Sequence, residues 1–195
     1  MNRSILKDIL LQEDVVTSVE NNLDILLEMI TEIGDMIGFE HNHPHHHLDV
    51  WNHTLLALSR APKDFEIRLV LLLHDIGKPH SYQDEEIRHF HNHALVSYQL
   101  SKDILARLNF SKDEIKEMCY LIKEHDSPIS IDDIESNVEL AKKRFKVQFC
   151  DALAHHPLKL EKRIKYLINI NEKVNNGKEK EKYRKILNSI CNVKK

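Results

Sequence analysis

The chain predicts an all-α protein, a bundle of helices forming one domain over residues 1–195. Only four glycines and five prolines punctuate its length, too few turn formers for a strand-rich fold. Apolar residues recur at three-and-four spacing over long stretches, the pattern of amphipathic helices. Ile67 to Leu73 is apolar except for Arg68, and a segment apolar on nearly every side belongs at the centre of a helical core. A chain of 195 residues can bury such a core without disulfides or a structural metal.

The elements follow in order. Ser18 to Ile37 carries Val19, Leu23, Leu26, Leu27, Ile30, Ile33 and Ile37, which predicts one amphipathic helix ending near Gly38. HNHPHHH, His41 to His47, reads as a loop around a proline, and a helix starts at Asp49. Pro62 and Asp64 open the helix FEIRLVLLLHDIG, which Gly77 and Pro79 stop. After a polar loop, HNHALVSYQLSKDILARL forms a helix with Leu95, Leu100, Ile104, Leu105 and Leu108 on its inner face. Ser111 and Glu114 have the spacing of a capping box for the helix IKEMCYLIKEH, ended by Ser127 and Pro128. SISIDDIES is too short and polar to assign. VELAKKRFKVQFCDALAHH is a further helix stopped at Pro157, its basic stretch Lys142 to Lys146 reading as a solvated face. From Leu158 the tail alternates apolar and basic residues, as one broken helix with a charged outer face.

Composition narrows the function classes. Lys+Arg 28 against Asp+Glu 31 gives a formal net charge of -3, so no global basic field draws the chain to nucleic acid or an anionic membrane. Cys119, Cys150 and Cys191 are isolated, which fits reduced thiols and leaves no zinc-finger spacing. The opening MNRSILKDILLQEDVV is broken by charges and has no signal-peptide core, and no stretch approaches the roughly 18 apolar residues of a membrane span. The expected location is the cytoplasm, and the oligomeric state stays open.

The chemistry begins at LVLLLHDIGKP, where an apolar run ends in His74 and Asp75. Burying such a pair costs several kcal/mol unless something compensates. His53 shares a helix face with Leu56 and Ala57, His93 opens a long helix, His125 ends another, and Asp151 sits within FCDALA. Six nitrogen and oxygen donors therefore fall at or near inward positions on five separate helices, and one or two divalent metals would satisfy all of them. Imidazole and carboxylate ligands suit Fe, Mn, Ni, Co or Zn, and the absence of cysteine ligands argues against a purely structural zinc site. At the fourth position His89 and His91 compete with His93.

The order H…HD…H…H…D resembles the signature of the HD-domain superfamily. HHLDVWNHTLLAL, LLLHDIGKP, HFHNHALVSYQLSKDILARL, LIKEHD and QFCDA are most similar to the HD domain of bacterial CCA-adding tRNA nucleotidyltransferases and their free-standing relatives. The resemblance implies an HD-domain helical bundle with a core at about 45–155 and helical extensions on both sides. No N-terminal Gly-Ser with paired aspartates occurs, so tRNA tailing is not implied. At matching positions His53, His74, Asp75 and Asp151 would bind a first metal, and His93 and His125 a second, with Asp75 bridging.

What the resemblance implies is a metal-dependent phosphohydrolase acting on a nucleotide or other small phosphoester through a metal-activated water. Asp75 would carry the metals, and Lys78 would meet the developing phosphate charge. His46 would line the pocket mouth, while His41, His43 and His45 read equally well as exposed loop residues without a role. Two other readings use the same ligands: a di-iron oxygenase of the HD type, as in myo-inositol oxygenase and a phosphonate-cleaving relative, and a non-catalytic metal- or nucleotide-binding module.

Overall fold

The computed structural model describes residues 2–42, 48–83, 88–175, 181 and 185. Among the described residues there are eleven α-helices and no strand, only two isolated bridges, Glu40 with Asp49 and Gln83 with His89. None of these helices is long and apolar enough to cross a membrane.

Helix α1 (Asn2–Leu10) precedes α2 (Val15–Asn21), α3 (Leu23–Met29) and α4 (Ile33–Met36). The single helix expected from Ser18 to Ile37 is thus broken twice. Asn22 leaves the helical region (φ -116, ψ 21), and its side-chain amide donates to the Ser18 carbonyl at 2.8 Å. Ile30 departs further (φ -138, ψ 78) while staying fully buried. Each short helix still buries its own apolar face, Val19, Leu26, Ile33 and Met36 among them, so the spacing persists across breaks it cannot reveal.

Helices α5 (Val50–Ser59) and α6 (Phe65–Leu73) begin as expected. The Asp49 carboxylate accepts from the Asn52 backbone N–H, and Asp64 accepts from those of Glu66 and Ile67, which satisfies donors the first turn leaves open. Every residue from Ile67 to Leu73 is buried. Arg68, the one charge in the run, donates to the carbonyls of Leu10 and Gln12 at 2.6 and 2.7 Å, tying α6 to the end of α1. α6 stops at Leu73, short of the expected Gly77, and a turn leads into a 3-10 segment at Lys78–His80.

Gly77 is needed for close approach. A Cβ there would meet Ser97 N and lie 2.7 Å from His93 O and 2.8 Å from Val96 C, all backbone of α7 (His93–Arg107). This contact also corrects the expected inner face of α7. Leu95 is 42% exposed and Leu100 only half-buried, whereas Ser97 and Ser101 are fully buried beside Ile104, Leu105 and Leu108. The turn packs on the α7 backbone, and the Gly77 N–H donates to the buried Ser97 Oγ at 2.9 Å.

Helix α8 (Lys112–Lys123) opens with the expected capping box of Ser111 and Glu114. The unassigned SISIDDIES contains α9 (Ile131–Ser136), started by a second capping box of Ser130 and Asp133. α10 (Val138–Ala154) and α11 (Pro157–Val174) complete the described helices. The basic stretch on α10 is not a uniformly solvated face. Arg144 is 2% exposed, donating from Nε to Glu124 O and from its terminal nitrogens to the carbonyls of Ser127 and Pro128 and to Asp133. It collects the carbonyl at the C-cap of α8 and two more from the connection that follows.

Helix α6 packs against α5, α8 and α10, while α10 also packs along α11 through a second cluster that includes Phe145, Phe149, Leu160 and Leu167. Cys119 and Cys150 are free and buried, and burial pushes their thiols up to about 11 and about 12. Cys191 and most of the tail beyond 175 lie outside the described residues.

Candidate metal centre

Helix ends bring the sequence-selected donors together. His53 points inward from α5, His74 caps the end of α6 with Asp75 following it, His93 is the first residue of α7, His125 follows α8, and Asp151 lies on α10. His53, His74, Asp75, His125 and Asp151 are each no more than 2% exposed.

Local hydrogen bonds fix how the imidazoles face. Nδ1 of His74, His93 and His125 bonds to the carbonyl three residues earlier, those of Leu71, Phe90 and Ile122, at 2.7, 3.0 and 2.7 Å. His53 Nδ1 reaches the Ala154 carbonyl at 3.3 Å. A carbonyl only accepts, so each Nδ1 carries a proton and each Nε2 is the nitrogen turned toward the centre.

Those Nε2 atoms converge on carboxylates. Asp75 Oδ2 lies 3.5 Å from His53 and 3.3 Å from His74, while its Oδ1 lies 3.5 Å from His93 and 3.6 Å from His125. Asp151 Oδ1 is 3.0 Å from His53 and 3.7 Å from His74. The Nε2 atoms of His93 and His125 are 3.3 Å apart. Neutral imidazole nitrogens and carboxylate oxygens all accept, so such close approach requires positive charge between them. Neither Asp75 oxygen nor His74 Nε2 has a hydrogen bond of acceptable geometry among the described residues. His53, His74 and Asp75 have ligand atoms close enough to share one divalent cation, with Asp151 Oδ1 beside both histidines; Asp75, His93 and His125 could share a second, and His53, Asp151 and His155 form a further group of that kind.

The electrostatics of the protein groups agree. Burial works against charge on His74, yet the carboxylates of Asp75 and Asp151 outweigh it and lift the imidazole to about 10. Burial also opposes ionisation of Asp75, but His74 and Lys78 bring its carboxyl well below the usual range. For Asp151, burial is outweighed by the charges of His155 and Arg163 and by the nearby imidazoles of His53 and His74. The cluster is an anionic centre that demands cations or protons.

Lys78 enters from the 3-10 turn. Its Nζ is 2.6 Å from Asp75 Oδ2 and 3.0 Å from His41 Nε2, and it is 5% exposed. His41 corrects the reading of an exposed, idle loop residue, since it is 1% exposed. Its Nδ1 donates to the Leu48 carbonyl at 2.8 Å, and burial, reinforced by the Lys78 charge, lowers it to about 3, so it stays neutral and accepts from Lys78. His46 lies outside the described residues. Of the competing histidines, His93 presents Nε2 to Asp75, while the rings of His89 and His91 stack on each other, 5.6 Å apart, at exposed positions.

A cavity of about 160 Å³ opens on the cluster, with Asp75, His93, His125 and Asp151 among its walls and Lys78, Arg88 and Arg163 as cations. The Arg88 guanidinium is held 4.9 Å from the ring centres of both Phe39 and Tyr82. Sequence reasoning missed His41, Arg88, His155 and Arg163. His155 could have been found one helical turn after Asp151, whereas Arg163 arrives through the packing of α11 on α10 and has no local signal.

The family model of the HD domain matches residues 45–191. The A-adding tRNA nucleotidyltransferase of Deinococcus radiodurans is 34% identical over 107 residues, covering 51% of this chain and 25% of that protein. The CC-adding tRNA nucleotidyltransferase of Thermus thermophilus is 32% identical over 106 residues, covering 49% and 24% respectively. The chain therefore spans about a quarter of the length of the curated relatives it matches.

Proposed function

The chain belongs to the HD domain family, and on that premise we propose that it is a metal-dependent phosphohydrolase acting on a nucleotide or other small phosphoester. The observation that carries this reading is the division of the Asp75 carboxylate, one oxygen toward His53 and His74 and the other toward His93 and His125. His53, His74, Asp75 and Asp151 would hold one divalent transition metal, and Asp75, His93 and His125 a second. A cation bound there supplies Lewis acidity toward a phosphoryl oxygen and lowers the pKa of water at the site.

The remaining work falls to protein groups. Nδ1 hydrogen bonds hold the imidazoles in one tautomer and orientation. Lys78, steadied by His41, would meet the negative charge that builds on the phosphoryl oxygens. Lys78, Arg88 and Arg163 around the cavity favour an anionic phosphoester over an uncharged oxygenase substrate.

The test is release of phosphate or nitrophenolate from aryl monoesters, aryl diesters and nucleoside phosphates, with Mn, Fe, Co, Ni or Zn supplied to chelator-treated protein. Metal-dependent hydrolysis that Asp75→Asn abolishes is the expected result. No hydrolysis with any pairing of metal and substrate contradicts the proposal.

A further inference from the structure

We infer that Arg163 is a positioning residue that aims Asp151 into the metal centre from α11. The inference rests on the metal-binding role proposed above. Three side chains close a ring outside the cluster. One terminal nitrogen of Arg163 forms an ion pair with Asp151 Oδ2 at 3.1 Å, and the other donates to His155 Nε2 at 3.3 Å. His155 Nδ1 in turn donates to the Asp151 carbonyl at 2.9 Å.

The consequence for Asp151 is directional. Its carboxylate is 2% exposed, and with Oδ2 drawn to Arg163 its Oδ1 faces His53 and His74. Both His155 nitrogens are engaged by this ring, which makes His155 the support of Arg163, although its ring also lies near His53 and Asp151. A planar guanidinium presents two separate terminal nitrogens to these acceptors in a fixed fork, a geometry that a single ammonium nitrogen does not reproduce. α11 is thereby part of the centre although it contributes no donor to it.

The test is calorimetric titration of the full, untagged, chelator-stripped chain with Mn²⁺, on wild type, Arg163→Ala and Arg163→Lys. Loss of a partner that orients a ligand typically weakens metal binding by about 10–100-fold, and Arg163→Ala should weaken the site containing Asp151 by this amount. The site of Asp75, His93 and His125 should keep its affinity. Arg163→Lys should fall between alanine and wild type. Removing a positive charge would by itself favour a cation, so unchanged or tighter binding in a folded Arg163→Ala protein overturns the inference. Should alanine prevent folding by circular dichroism, the lysine variant decides, and wild-type affinity in it overturns the inference. A wild-type chain that takes up no metal overturns both this inference and the proposed function, whereas wild-type uptake that Arg163→Ala leaves unchanged overturns this one alone.

Discussion

Lys78 Nζ lies 2.6 Å from Asp75 Oδ2, the same oxygen that faces His53 and His74. Both partners are almost fully buried. Removing one member of a buried pair costs up to about 3–5 kcal/mol, and less here because His74 still faces the Asp75 carboxylate. Lys78→Met should therefore lose stability below that bound in chelator and less still with metal, because the carboxylate then has other cations. Its turnover should fall roughly 100- to 1,000-fold, the usual effect of removing a positioned electrostatic donor. Urea denaturation with and without metal checks the first part, and an equal loss in both conditions would contradict it.

The pH dependence of the chelated protein has a defined sign. His74 is raised from 6.5 to about 10, so its contribution is complete below about pH 6.5 and disappears as pH climbs toward 10. Asp75 and Asp151 are lowered, so theirs is complete above the ordinary 3.8 and is lost as pH falls below it. Metal binding needs an unprotonated His74 Nε2 and releases its proton, so metal uptake strengthens with pH. The difference between urea midpoints with and without metal should widen between about pH 6 and about pH 9. A constant difference would show that no imidazole proton is displaced.

Gly77→Ala would push its methyl group into the backbone of α7 at His93, Val96 and Ser97. Neither side is a flexible side chain, so the turn carrying Asp75 and Lys78 must separate from α7. A loss of about 1–3 kcal/mol follows from such overpacking, together with weaker metal binding through His93. Thermal unfolding and metal titration measure the two effects, and an unperturbed variant would refute the close approach.

Arg144→Met keeps the length of the side chain but removes its charge from under the α8–α9 connection. The Glu124, Ser127 and Pro128 carbonyls would lose their guanidinium donor, and Asp133 its ion pair. Gln148 Nε2 still donates to the Glu124 and Ser127 carbonyls, so the Pro128 carbonyl is the one left without a side-chain donor among the described residues, and the variant should lose about 1–3 kcal/mol. Lys142→Met, on the same stretch but in an i,i+3 pair with Glu139, should stay within about 0.5 kcal/mol of wild type by urea denaturation.

The sequence disclosed the core and most of the centre because both obey short-range rules. An apolar run ending in His74 and Asp75 announces a buried polar pair, and the position of His53 on α5 follows from helical spacing. What escaped it depends on contacts between distant segments. The breaks at Asn22 and Ile30 preserve the apolar phase, so periodicity passes over them. Leu95 looked internal because leucine is apolar, but the turn at Gly77 packs beside Ser97 instead. His41 and Arg163 are brought to the centre by a buried loop edge and by α11; the histidine-rich loop singles out no one of its members, and nothing near Arg163 in the chain marks it.

The most direct test of the account is elemental analysis of untagged protein, wild type beside Asp75→Ala, after reconstitution with transition metals. If Asp75 joins two cation positions through its two oxygens, wild type should carry about two metals per chain, and the variant should lose both. Wild-type protein that retains no metal, or a variant that retains as much as wild type, would contradict the central claim.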